Sequence, residues 1–417
     1  MRRLNAAPMV LLSALTLSCG VPAPPDSRNE IEIPEAGKCG RGFVVVESNY
    51  ESTNVGLLTV QGDVLTGSLV ASTLRPSELV PSLSGDVVSS SSSQAGLDAV
   101  LIDRAADSSR LAFVDLSTGR INKYVSLGTG FASYPQDYAE VSPSKAYVTR
   151  FGHNRRPGRV PFDAGSDIIV LSRQTTDILG SIDLRVSLGE AADSNLPRAS
   201  RIALADDKAL VLLTTLPVEG YVATAESRLA VVDTGSDTVD TTLILTGLRN
   251  CAGMAINDAR DRIAIFCSAL LDANGSSDPL ASGIALVTLH PRPRIERVIT
   301  SDLLGPQPVG FDGGFASADV LLVTSFGAVE GNEVIAQDRI LSVNFISEEV
   351  KTLLTGAPFS LGGVECAEAC GTCLVTDAAR NGGVVHRYVF VDQDFTLADT
   401  IKVETEIGLP PRELGRF

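Results

Sequence analysis

Ser109-Arg-Leu-Ala-Phe-Val-Asp-Leu-Ser-Thr-Gly-Arg-Ile-Asn-Lys-Tyr-Val-Ser-Leu-Gly128 reads as two short strands joined by a tight turn, and Ser227-Arg-Leu-Ala-Val-Val-Asp-Thr-Gly-Ser-Asp-Thr-Val-Asp-Thr-Thr-Leu-Ile-Leu-Thr-Gly247 restates it. Between residues 42 and 417 the phrase returns six or seven times at a spacing of roughly 45 to 60 residues, a period that belongs to propellers and solenoids rather than to ordinary layered domains. The strands are short Val/Ile/Leu/Phe runs bounded by Gly, Pro, Asn, Asp and Ser. No stretch keeps a helical period long enough to compete, so the chain reads as all-β.

In a propeller blade four strands, a to d, run from the axis outward. Working outward from the quoted copies, six blades can be written in full. Their a, b, c and d strands fall at 86–91, 97–104, 110–115 and 121–127; at 134–142, 145–150, 167–172 and 178–184; and at 198–205, 209–216, 228–233 and 238–245. The other three sets are 251–256, 262–268, 283–288 and 295–300; 308–311, 319–325, 339–344 and 350–354; and 363–366, 373–377, 384–391 and 396–403. Ahead of them lie only three strands, at 43–48, 56–60 and 64–71, while the tail Ile407-Gly-Leu-Pro-Pro-Arg-Glu-Leu-Gly-Arg-Phe417 looks like the start of a blade, as in Leu196-Pro-Arg-Ala-Ser-Arg-Ile202. The expectation is a single seven-bladed β-propeller over 39–417, closed by the C-terminal strand joining the N-terminal blade. Closure removes open sheet edges, which would otherwise template aggregation.

The strand pair Val114-Asp-Leu-Ser-Thr-Gly119, echoed by Val232-Asp-Thr-Gly235, resembles the YVTN-type seven-bladed propeller repeat of bacterial surface and periplasmic proteins. Where that family usually has Ser-Pro-Asp-Gly, this chain has Ser142-Pro-Ser-Lys145 and Ala205-Asp-Asp-Lys208. The resemblance implies a binding or assembly module; distant relatives are lactonases, which implies a hydrolase or lyase with a small-ligand site at the central channel as the alternative.

The first 18 residues have the order of a bacterial export signal: Arg2 and Arg3, then the apolar Pro8-Met-Val-Leu-Leu-Ser-Ala-Leu15. Leu15-Thr-Leu-Ser-Cys19 resembles the lipoprotein box, which makes Cys19 the lipidation site, with plain secretion as the alternative. Lipid chains hold a protein at a membrane through buried methylenes, each contributing about 0.8 kcal/mol. Residues 19–38, rich in proline and charge, read as a disordered tether. The expected location is the bacterial cell envelope, on the outer membrane.

Loss of Arg2 and Arg3 with the signal takes the formal charge from −16 to −18. Such an acidic body is repelled by phosphate backbones and excludes nucleic acid as a partner. Tryptophan is absent, which disfavours stacking platforms for sugars.

Six cysteines remain after Cys19, an even number in a compartment where disulfides persist. Cys251 and Cys267 flank the turn at 257–260, so they should face each other across an a–b hairpin. Cys366 with Cys373 and Cys39 with Cys370 is the preferred pairing of the rest, the alternatives joining Cys39 to Cys366 or Cys373. The spacing Cys366-x3-Cys370-x2-Cys373 also matches an iron–sulfur ligand set, and Cys370-x-x-Cys373 a thiol-exchange motif, but no strand–helix alternation surrounds either.

No catalytic residues are assigned, because His153, His290 and His386 are scattered over separate repeats and no nucleophile elbow, zincin helix or phosphate loop is present. No cofactor is expected apart from calcium at Asp272, Asn274, Ser276 and Asp278, where oxygen-bearing side chains alternate without a closing glutamate. The loops at 152–166, 185–197, 217–227, 271–282 and 327–338 are long and share one rim, where propellers commonly carry recognition. The expected function is thus a lipid-anchored binding or scaffold protein presenting that loop rim. Arg155, Arg156 and Arg159, in a basic loop that Arg150 precedes, are the candidate contacts to an acidic envelope protein or anionic envelope ligand. The alternative is that they pair with acids on neighbouring loops such as Asp193 or Glu219.

Overall fold

The run Arg262-Ile-Ala-Ile-Phe-Cys267 shows why these strands are apolar on both sides. Ile263, Ile265 and Cys267 pack toward the preceding blade, while Ala264 and Phe266 pack toward the following one. A middle strand is buried on two faces and has no solvent side to alternate with. Outer strands differ: in Ile178–Asp183 exposed and sheltered positions alternate, as one wet face requires.

The computed structural model describes residues 30–72, 83–91, 96, 98–271, 276–379 and 382–417. It contains seven four-stranded antiparallel sheets, with the a to d strands of each in neighbouring order. Blade 1 takes its a strand from the C-terminus, Pro411–Arg416, followed by Gly42–Ser48, Thr53–Thr59 and Val64–Ala71. Blade 2 is Val87–Ser89, Asp98–Asp103, Arg110–Asp115 and Ile121–Ser126, and blade 3 is Pro135–Ser142, Lys145–Arg150, Asp167–Ser172 and Ile178–Asp183. Blade 4 comprises Ala199–Ala205, Lys208–Leu213, Arg228–Asp233 and Thr238–Ile244; blade 5, Cys251–Ile256, Arg262–Cys267, Gly283–Thr288 and Arg294–Thr300. Blade 6 is Val309–Ser317, Val320–Ser325, Asp338–Asn344 and Glu349–Gly356, and blade 7 is Leu361–Ala367, Thr372–Asp377, Val384–Val391 and Asp394–Ile401.

The a strand of blade 6 runs well past the expected 308–311, because Gly313 and Gly314 continue it alongside blade 7. The long-loop rim is also less irregular than expected. It carries two small hairpins, Asn195–Leu196 with Leu216–Pro217 and Ala328–Glu330 with Glu333–Ala336.

Seven aliphatic clusters fill the seven gaps between neighbouring blades. Blades lock here through branched aliphatics, which is how a propeller without tryptophan holds together. Polar clasps add direction. Ser227 Oγ, heading the c strand of blade 4, donates to Thr214 O at 2.9 Å and accepts from Cys251 N of blade 5 at 3.0 Å. Ser282 does the same between blades 5 and 6, donating to Cys267 O and accepting from Val309 N, both at 2.9 Å. Ser166 accepts from Arg198 N at 2.8 Å, and Asp338 from Leu361 N at 2.9 Å. The serine that heads the c strand is therefore a bolt between blades at Ser166, Ser227 and Ser282, each such bond contributing about 1 kcal/mol, whereas the Ser109 hydroxyl turns back to Ala105 O within blade 2.

Near the axis the inner strands crowd together. A Cβ on Gly253 would lie 1.7 Å from Phe311 O, so only glycine lets blades 5 and 6 approach.

The C-terminal strand closes the ring as expected, pairing antiparallel with Gly42–Ser48 in the register Phe43↔Arg416 to Val46↔Glu413, with a shift before Glu47↔Pro411. The tether expected over 19–38 can be followed only on 30–38. There Ile31 and Ile33 pack against the core between blades 1 and 2, and Ile31 N donates to Ser117 O at 2.8 Å. Those residues lie on the body rather than hanging free of it. Cys19 and the export signal fall outside the described residues.

Candidate functional site: the central channel

Each a strand passes the axis, and five of the seven place an ionisable side chain there. They are Glu413 of blade 1, Asp137 of blade 3, Arg201 of blade 4, Asp312 of blade 6 and Glu365 of blade 7. All but Asp137 line a cavity of ≈ 350 Å³ within the channel, together with Arg416, Arg260, Lys38, Asp258 and Glu368. The cavity lies toward the a–b turns, the rim opposite the long loops.

Asp137 has a positioning role. Its carboxylate accepts from Ser91 N at 2.9 Å, from Tyr138 N at 2.8 Å, from Ile202 N at 3.0 Å and from the Ser91 hydroxyl, so one buried group joins blades 2, 3 and 4. Burial raises its pKa, and Arg201 and these donors act in the opposite direction. Arg201 is paired with Asp312 at 3.6 Å, with side chains 16 % and 24 % accessible. That accessibility is to the channel interior, so both remain poorly solvated. Burial and then the neighbouring Glu413 push the Asp312 carboxyl up, against the pull of Arg201. Glu365 is pushed up to about 7, chiefly by burial and despite Arg416.

The mouth on the a–b side is partly roofed. Arg416 Nη1 meets Asp258 Oδ1 at 2.9 Å, and its Nη2 donates to Cys39 O at 3.3 Å. Across the mouth, Ala369 N donates to Asp258 Oδ2 at 2.9 Å and Asp258 N to Glu368 Oε2 at 2.7 Å. The short turn Glu368–Cys370 thus reaches from blade 7 to blade 5. Disulfides brace it: Cys366 is joined to Cys373 and Cys39 to Cys370, while Cys251 faces Cys267 across the a–b hairpin of blade 5. With all three thiols bridged, the Cys366–Cys370–Cys373 spacing is that of a stapled turn.

The basic loop lies on the far rim. Arg150 does not belong to it, being fully buried against Asp167. Arg155 pairs with Glu219 at 2.8 Å, one of the neighbouring acids expected for it, and both are exposed. Arg156 and Arg159 are exposed, and among the described residues only their backbone N–H groups are engaged, by Asn154 Oδ1 and Asp163 Oδ2. Of the candidate calcium residues, Asp272 and Asn274 lie outside the described residues; Asp278 is 3.6 Å from Arg249, and Ser276 sits beside it in the loop. Among the described residues no three His, Cys, Asp or Glu side chains converge as a metal site. His386 lies in blade 7, its Nδ1 3.2 Å from Thr400 Oγ1, away from the axis.

A second cavity, ≈ 580 Å³, lies between blades 4 and 5. Several of its charges are paired: Lys208 meets Asp233 at 2.8 Å and Asp240 at 3.5 Å, and His290 meets Asp206 at 3.6 Å, while Arg292 forms no ion pair among the described residues. The channel is where ionisable groups from four blades converge.

No family model matches the chain, and no curated protein matches its sequence. Solved structures do resemble it. A hypothetical selenium-binding protein from Sulfolobus tokodaii superposes with a TM-score of 0.55 at 11% identity, covering 89% of this chain and 92% of that one. A quinoprotein alcohol dehydrogenase-like protein from Bacteroides thetaiotaomicron gives 0.52 at 9% identity over 90% and 78%, and Kuenenia stuttgartiensis hydrazine synthase 0.52 at 13% over 90% and 99%. The likeness is one of fold. At such identities the propeller architecture is common ground, and chemistry does not transfer.

Proposed function

We propose that this chain is an envelope-tethered binding protein whose ligand is a small polar molecule held in the central channel. The observation that carries this reading is the convergence of Arg201, Asp312, Glu365 and Glu413, from four blades, on one partly roofed cavity. A channel serving only as a structural hub would be apolar or filled with matched pairs. Its volume is at the lower end of the range for small-molecule sites. Binding is favoured over hydrolysis because the hydroxyl–carboxylate pair at this wall, Ser91 with Asp137, is committed to the hydrogen bonds that join blades 2, 3 and 4, and no histidine lines the cavity among the described residues. A partner on the long-loop rim is the second reading, favoured by the exposure of Tyr221 (78%) and Leu280 (81%) on its loops.

A thermal-shift screen of cationic, anionic, zwitterionic and neutral solutes under about fifteen heavy atoms tests the first reading. At a hundredfold excess over Kd a ligand stabilises by about 2.7 kcal/mol, so at least one class should raise Tm measurably. If none does, the rim reading takes its place.

The proposed anchor is the lipidated Cys19, on the resemblance to the lipoprotein box. The chain meets the body at Ile31, beside the Ser117 turn on the same side as the a–b turns. Eleven residues from 19 to 29 extend to at most about 40 Å, so the channel mouth would face the membrane and the long-loop rim would face away. Cys19→Ala should release the protein from the membrane fraction to the soluble one; unchanged fractionation would remove the anchor from this account.

A further inference from the structure

The three carboxylates Asp312, Glu365 and Glu413 share the middle of the cavity with the guanidinium of Arg201, and their own hydrogen bonding is incomplete. Among the described residues, Glu365 and Glu413 receive no hydrogen bond and form no ion pair, and Arg201 reaches only Asp312. The other cations on the wall lie toward the a–b mouth: Arg416 is spent on Asp258 and on the carbonyls of Cys39 and Cys366, Arg260 donates to Leu204 O at 3.1 Å, and Lys38 precedes the Cys39 bridge. Asp137, behind Arg201, adds a further acid. The channel is therefore short of positive charge at its middle. An unpaired carboxylate in a poorly solvated place is costly unless a proton or a cation joins it.

A metal ion is a poor match, since no three of the acids meet at one point. An elongated solute with hydrogen-bonding ammonium or guanidinium ends suits carboxylates that are spread around the wall of a ≈ 350 Å³ cavity. We infer that the channel ligand is a small organic cation of the amine or guanidinium class, held by Glu365, Glu413 and Asp312. This rests on the channel reading given above.

The inference carries a pH signature. Glu365 holds its proton up to about 7, and Asp312 is raised in the same direction. The groups that face them are Arg201 from blade 4, Glu413 and Arg416 from blade 1, Asp258 from blade 5 and Arg104 from blade 2, with Asp137 of blade 3 behind Arg201. A cation needs the ionised carboxylates, so its binding releases protons, and its affinity rises as pH goes from 6 to 8. An amine of ordinary pKa stays charged throughout that window.

Isothermal titration of the full mature protein with putrescine, agmatine and glutarate decides the matter. The expected result is 1:1 binding of putrescine or agmatine, several-fold tighter at pH 8 than at pH 6, and none of glutarate. Glu365→Gln with Glu413→Gln should weaken that binding at least tenfold, while Arg155→Ala on the far rim leaves it unchanged. Asp312→Asn provides an independent variant should the double variant fail to fold. Glutarate binding, or diamine binding that survives in the folded Gln and Asn variants, overturns the inference. A neutral or anionic ligand emerging from the thermal-shift screen would overturn it too while leaving the channel reading standing, whereas silence from every class removes both.

Discussion

Removing residues 409–417 is expected to leave a protein that no longer folds to a soluble monomer. Those residues form the a strand of blade 1, and the strand they cover, Gly42–Ser48, is buried along its whole length. Phe417 is 2% exposed within the cluster between blades 1 and 2, and Leu414 packs in the one between blades 7 and 1. Losing two such side chains costs about 1.5–3 kcal/mol each. Stranding the N–H and C=O groups of Gly42–Ser48 adds about 1–3 kcal/mol for each group that water cannot reach. The total approaches the whole stability of an ordinary domain, about 5–15 kcal/mol, and the bared edge would recruit other chains. The milder Phe417→Ala should cost about 3–5 kcal/mol, visible as a lower urea midpoint. A truncated protein that is soluble and melts at the parent temperature would show that the velcro is dispensable.

This closure was legible because the tail repeats the entry of other blades: Leu409-Pro-Pro-Arg echoes Leu196-Pro-Arg. The middle strands were legible for a related reason, since burial on two faces leaves a continuous apolar run such as Ala209-Leu-Val-Leu-Leu213. The channel was not. Glu413, Asp137, Arg201, Asp312 and Glu365 are far apart along the chain, and only ring closure brings them to one axis. A signal was nonetheless present for three of them: Arg201, Asp312 and Glu365 are charges inside an inner strand with small or apolar neighbours, whereas Glu413 follows Arg412 and Asp137 follows Gln136. The long loops lie on the rim away from the cavity, because loop length reports freedom to vary and not enclosed space. The boundary at 38 reflected proline and charge, whereas Ile31-Glu-Ile33 alternates as a chain lying on an apolar surface does. Arg150 looked like part of a basic loop because a sequence cannot say that a charge at the end of a strand turns inward.

Arg150→Ala should be the most destabilising single substitution in blade 3. Its guanidinium holds Asp167 through Nε and Nη2, both at 2.7 Å, and donates to Phe162 O at 2.7 Å and to Thr129 Oγ1 at 2.9 Å, with the Phe131 ring 5.1 Å away. It thereby ties the b–c loop and the chain arriving from blade 2 to the c strand. Without it Asp167 is a buried, uncompensated carboxylate, which costs about 3–5 kcal/mol. Asp167 already titrates above the ordinary range, because burial outweighs the opposing effect of Arg150. Loss of the arginine raises its folded pKa further above the unfolded value. A carboxyl raised in the folded state costs stability progressively as pH climbs from the unfolded pKa toward the folded one. The deficit of Arg150→Ala relative to the parent should therefore be larger at pH 8 than at pH 5. Arg150→Met combined with Asp167→Leu removes both charges and should recover part of the loss, because apolar replacements of a buried pair are often neutral. Equal melting temperatures for Arg150→Ala and the double variant, with no pH dependence in their difference, would assign the loss to packing rather than to the stranded charge.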